Sequence, residues 1–135
     1  MENAPPIERR RVGDTILAVR VLAMPKDTNA AGDIFGGWLM SQVDIAGSIA
    51  AWQAAGGRVV TVAVNSFRFI KPVLVGDLVS CYSQVTRIGN TSVTVDVEVY
   101  AEPERDPDAV HKVAEATLAY VAIDEDRNPR PISGI

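Results

Sequence analysis

The chain has 135 residues, 47% of them apolar and 22% charged, the proportions of one globular domain that can bury an ordinary core without disulfide staples. Thirteen basic against seventeen acidic side chains leave a net charge of -4, the wrong balance for a chain that grips a nucleic-acid backbone. The single cysteine, Cys81, fits a reducing compartment, and no apolar run reaches the length of a bilayer span, so a cytoplasmic setting away from nucleic acid and membrane is expected.

The opening MENAPPIERRRVGD carries a basic triplet with no apolar stretch behind it. It does not read as a secretory signal, and residues 1-12 are expected to form a flexible tail. Ile16, Leu17, Val19 and Val21, with Arg20 interleaved, predict a strand from Val12 to Leu22. The polar, small-residue segment Lys26 to Asp33 predicts a loop, with Asp33 suited to cap a helix. From Ile34 to Ala55, Phe35, Leu39, Val43, Ala46, Ile49 and Ala50 recur every three or four positions, and Gly56-Gly57 closes the run. The positions between them are mostly Gly, Ala and Ser, which favours a central helix covered on several sides over one lying on a surface. Four β-rich runs follow, Val59 to Ile70, Leu78 to Ile88, Ser92 to Ala101 and Val110 to Ile123. The expected architecture is α+β, one sheet with one helix to cover, in a single domain over residues 1-135.

Chemistry has few places to reside. His111 is the only histidine, and a Ser-His-Asp or Cys-His arrangement would need it. Its context reads as an exposed strand-edge residue, and Cys81 reads as a buried, inert thiol. Asp44 stands out as a carboxylate in a helix of apolar and small residues, on one face with Met40, Ser41, Gly47 and Ser48, a patch open enough for another body to approach. It is either a working carboxylate or one satisfied by the backbone or a serine. Asn29 precedes the helix and Gly36-Gly37 begin it, so an amide side chain and bare N–H groups could receive a polarised carbonyl. Helical rise puts Gly37 and Asp44 about 10 Å apart, too far for one carbonyl to meet both. If both act on one bond, two subunits must each supply one. Arg58, Arg68, Lys71 and Arg87 make the middle of an acidic chain locally basic. The turn Arg87-Ile-Gly-Asn-Thr-Ser92 reads either as a hairpin or as a phosphate-binding turn.

The stretch MPKDTNAAGDIFGGWLMSQVDIAG, with GRVVTVAV, FIKPVLVGD, RIGNTS and AEATLAYVAID after it in order, resembles the hotdog-fold acyl-CoA thioesterases, in particular the bacterial YciA-like acyl-CoA thioester hydrolases. The resemblance implies a curved five-stranded antiparallel sheet wrapped around one long central helix, dimers formed by joining two sheets, and often a trimer of such dimers. It implies hydrolysis of short- to medium-chain acyl-CoA to free acid and CoA, with no metal or other cofactor. The catalytic carboxylate of the family falls on Asp44, its asparagine on Asn29 and its helix-start glycines on Gly36 and Gly37. CoA contacts are expected from Arg58, Lys71, Arg87, Gly89, Thr91 and Ser92, while Asn65 stands where many relatives carry an acidic residue. The competing functions are a hotdog hydratase or dehydratase, which would want a His paired with a carboxylate, and a non-catalytic acyl-CoA binding module, which has no need of Asp44.

Overall fold

In the fourth strand, Val93, Val95, Val97 and Val99 are fully buried, while Thr94, Asp96 and Glu98 between them keep contact with solvent. That period of two makes one dry and one wet face. The computed structural model describes residues 12–132. Its elements run β1 (Thr15–Leu22), α1 (Gly36–Ala55), β2 (Val59–Phe69), β3 (Leu78–Ile88), β4 (Ser92–Glu102) and β5 (His111–Ala122). The five strands form one antiparallel sheet in the order β1-β3-β4-β5-β2. The dry face wraps α1, which packs against all five strands, as the small-residue composition of the helix led us to expect. The expected tail lies outside the described residues except for Val12.

Strands β2, β4 and β5 match the sequence reading to within one residue at each end, and two boundaries differ by more. The first strand begins at Thr15, and the helix begins at Gly36, capped by Phe35 in extended conformation rather than by Asp33. The cause is competition for backbone donors. Ile34 N–H donates to the Val73 carbonyl at 3.1 Å and Phe35 N–H to the Asp27 carbonyl at 2.7 Å, so both residues are held extended. Ile34 is buried in the core and Phe35 is exposed.

The core between helix and sheet is made of small and branched side chains. Leu39, Val43, Ala46, Ala50, Ala51 and Ala54 meet Val79, Val85, Leu118 and the β4 valines. Ser83 is buried among them and its hydroxyl donates to the Ala46 carbonyl at 2.8 Å. Cys81 is fully buried, and burial pushes its thiol up to about 12, so it is the inert thiol expected.

After β5 the chain turns through Asp124 to Asn128 and comes back across one end of the domain. Arg130 N–H donates to the Ala122 carbonyl at 2.9 Å, its Nε to the Ile123 carbonyl at 3.2 Å and its Nη2 to the Ala55 carbonyl at 3.1 Å. The last of these places a positive charge on the C-terminus of α1, where the helix dipole favours it. Ile132 N–H continues the cover by donating to the Asn90 carbonyl at 2.8 Å. Arg130→Ala strips the carbonyls of two buried residues, Ala55 and Ile123, of their side-chain donor. It is expected to lower the unfolding free energy by about 1–3 kcal/mol, measured as a shift of the urea midpoint at unchanged m-value.

Candidate active site

Asp44 lies midway along α1, half-buried, and the sheet holds its carboxylate from two strands. Oδ1 accepts the Thr61 hydroxyl of β2 at 2.7 Å and the Tyr120 hydroxyl of β5 at 3.1 Å. The Tyr120 hydroxyl is also 3.0 Å from the main-chain carbonyl oxygen of Asp44. Burial, and then the carboxylate charge beside it, push the Tyr120 phenol above its ordinary value, so it remains a donor. The carboxylate is therefore hydrogen-bonded, by Thr and Tyr side chains rather than by backbone or serine. Ser41 and Ser48 instead return their hydroxyls to the Trp38 and Ile45 carbonyls, each at 2.7 Å.

The patch around Gly47 is occupied rather than open. A Cβ at Gly47 would lie 2.2 Å from the Tyr120 hydroxyl oxygen, so the missing side chain makes room for a ring of the same chain. Gly37 has a similar role, because a Cβ there would come within 2.7 Å of the exposed Phe35 ring. Phe35 provides no side-chain cap. The N–H groups of Gly36 and Gly37 thus begin the helix without one, as a carbonyl receptor requires. Gly36 also lines a cavity of about 270 Å³ with Ile34, Leu39, Phe69, Lys71 and Val73.

Asn29 is exposed, and its Oδ1 accepts the N–H groups of Ala31 at 2.9 Å and Asp33 at 3.1 Å. This Asx turn fixes the amide plane and leaves Nδ2 as its donor end. The loop is pinned further by Asn29 N–H to the Asp33 carbonyl at 2.7 Å.

The expected CoA contacts divide into two groups at opposite ends of the sheet. Arg58 and Thr91 offer their carbonyls to Ile123 and Ala122 at 3.0 and 2.8 Å, so Arg58 and the Arg87 to Ser92 turn share one end with the C-terminal cover. Lys71 N–H reaches the Val113 carbonyl at 3.2 Å, at the start of β5, which puts it at the other end beside Gly36. Arg58, Lys71 and Arg87 are exposed and have no ion-pair partner among the described residues, whereas Arg68 pairs with Glu115. Gly89 N–H is spent on the Ser92 carbonyl at 2.8 Å, so the turn is a hairpin turn first and has one donor fewer for phosphate. Asn65 is exposed at a bulge of β2.

His111 differs from expectation. It opens an interior strand, paired with Ala101, and is half-buried with Nδ1 3.1 Å from the Ala109 carbonyl. Among the described residues no three His, Cys, Asp or Glu side chains gather as a metal site. Thr61, Tyr120 and Arg130 were not singled out from sequence. The legible signal was a glycine in mid-helix together with a tyrosine in a core strand, since a buried phenol needs a partner for its hydroxyl.

The pattern of the Thioesterase superfamily matches residues 31–107. The chain is 48% identical to the acyl-CoA thioester hydrolase YciA of Salmonella typhimurium over 134 residues, covering 98% of this chain and 95% of that protein. It resembles the solved structure of HI0827, a hexameric broad-specificity acyl-coenzyme A thioesterase, with a TM-score of 0.81, 47% identity and coverage of 93% and 85% of the two chains. A more distant likeness is the acyl-CoA hydrolase of Staphylococcus aureus, solved with butyryl-CoA and CoA, with a TM-score of 0.80, 29% identity and coverage of 89% and 72%. The five-stranded sheet around one helix, with a held carboxylate at mid-helix, is thus the hotdog fold of the Thioesterase superfamily, and the chain belongs to its YciA-like acyl-CoA thioester hydrolases.

Proposed function

We propose that the chain, as one hotdog unit over residues 1-135, hydrolyses acyl-CoA thioesters to free acid and CoA, with short to medium acyl chains as its range. The observation that carries this is Asp44, a carboxylate held on one oxygen by Thr61 and Tyr120 in a helix that otherwise has no use for charge. It either activates water or attacks the thioester carbonyl itself. The N–H groups of Gly36 and Gly37 and the Asn29 amide are the donors for the carbonyl oxygen as it gains negative charge. The acyl–sulfur bond breaks, the carbonyl carbon takes the oxygen of water, and the thiolate leaves to be protonated as CoA. A hydratase reading has nothing to favour it, since His111 faces no carboxylate in any described contact.

Both ends of the reaction need a second copy. Gly36 lies against the Phe69 ring and Asp44 against Thr61, so the helix start and the carboxylate sit toward opposite ends of β2. Strand β2 is an edge of the sheet, with Val62, Val64 and Phe69 exposed, and α1 exposes Met40, Ile45 and Trp52. An unpaired edge with this much apolar surface suits pairing with a copy of itself. An antiparallel pair centred near Asn65 would bring Thr61 of one copy to Phe69 of the other, and so the Asp44 of one chain to the helix start of the other. The same pairing would bring Lys71 of one copy to the side of Arg58 and Arg87 of the other, reuniting the two groups of basic residues around one nucleotide. Dimers are taken to assemble further into a hexamer, as HI0827 does. No described helix is long and apolar enough to cross a membrane. A cytoplasmic setting belongs to the same proposal and rests on the lone, buried Cys81 thiol.

Asp44→Ala is expected to fold normally and to lose nearly all hydrolysis, read as thiol released from acyl-CoA; full activity in a folded variant would remove Asp44 from the mechanism. Subunit exchange between inactive Asn29→Ala and inactive Asp44→Ala should restore part of the activity, and no recovery after demonstrated exchange argues for sites within one chain. Arg58→Ala, Lys71→Ala and Arg87→Ala should raise KM for acyl-CoA more than they lower kcat, an effect that weakens with salt and is absent on the matching acyl-pantetheine.

A further inference from the structure

We infer that Tyr120 is a positioning residue for hydrolysis, holding Oδ1 of Asp44 together with Thr61 so that Oδ2 is the oxygen that meets water or the thioester, and that Gly47 is there to admit the Tyr120 hydroxyl. This rests on the reading of Asp44 as the working carboxylate. Both hydroxyls donate to the same oxygen, at 2.7 and 3.1 Å, while Oδ2 has no donor among the described residues. A carboxylate free to rotate presents either oxygen; one bonded twice on Oδ1 presents the other, in one orientation.

Tyr120 adds what Thr61 cannot. Its ring is fully buried and cannot swing, and its hydroxyl lies 3.0 Å from the Asp44 main-chain carbonyl as well as 3.1 Å from Oδ1. Its single proton is shared between these two acceptors, and this bifurcated bond ties the side chain to the helix backbone that carries it. That contact exists only because position 47 has no Cβ, which would overlap the hydroxyl at 2.2 Å and press on ring carbon Cζ at 3.0 Å. The glycine costs the helix intrinsic stability. Its benefit appears at the carboxylate.

Steady-state kinetics of acyl-CoA hydrolysis and thermal midpoints for Tyr120→Phe, Thr61→Val, Gly47→Ala and the Tyr120→Phe/Gly47→Ala double variant test this, with Asp44→Ala alongside. Loss of one charge-assisted hydrogen bond predicts a kcat for folded Tyr120→Phe that is lower by roughly 10- to 100-fold, with KM within about twofold. Gly47→Ala should lose kcat to a similar degree, and the double variant should be no slower than either single, because both substitutions remove the same contact. Thr61→Val, at an exposed position, should also lower kcat, and it keeps the test open should Tyr120→Phe fold poorly. If Tyr120→Phe or Thr61→Val retains wild-type kcat while Asp44→Ala is inactive, the hydroxyls serve packing alone and the inference fails. A loss confined to KM overturns it too. Full activity in Asp44→Ala would be a different failure, that of the catalytic reading beneath it.

Discussion

Close approach between helix and sheet is the constraint on which this molecule depends. A strand layer can wrap α1 tightly only if the helix presents Ala46, Gly47, Ala50, Ala51 and Ala54 where larger side chains would hold the layers apart. The same tightness brings a β5 side chain within hydrogen-bond reach of the helix backbone. Packing and chemistry are therefore not separable here. A bulkier helix would keep a core and lose the distances that hold the carboxylate.

The sequence made the architecture legible because two periods are cleanly written in it. Val93, Val95, Val97 and Val99 alternate with polar residues, and the small and apolar positions of α1 repeat at helical spacing. What escaped were features set by tertiary competition. Asp33 has the chemistry of a cap, but its N–H and carbonyl are both engaged by Asn29. The helix start then falls to Phe35, which no capping preference would select.

The candidate site was legible where a residue type was out of place and illegible where it was ordinary. A carboxylate in mid-helix attracts notice, and so does a glycine pair at a helix start. Thr61 and Tyr120 are among the commonest residues of strands, so composition gives them no distinction. Only register links them to Asp44: Thr61 and Tyr120 are partners across β2 and β5, and this neighbour relation delivers both hydroxyls to one oxygen. The basic residues illustrate the converse. Closeness in sequence suggested one patch, but Lys71 lies a strand length away from Arg58.

The strand order has a consequence for biosynthesis. β5 is the last of the five strands yet lies between β4 and β2, so during synthesis β2 waits with both edges unpaired until the residues of β5 have emerged. Its exposed valines and phenylalanine make that interval the time of greatest risk for misassociation. The same late strand carries Tyr120, so the carboxylate clamp closes in the step that completes the sheet. A chain stopped short of β5 would hold Asp44 and the whole of the helix and still have neither a finished sheet nor the Tyr120 hydroxyl at the carboxylate.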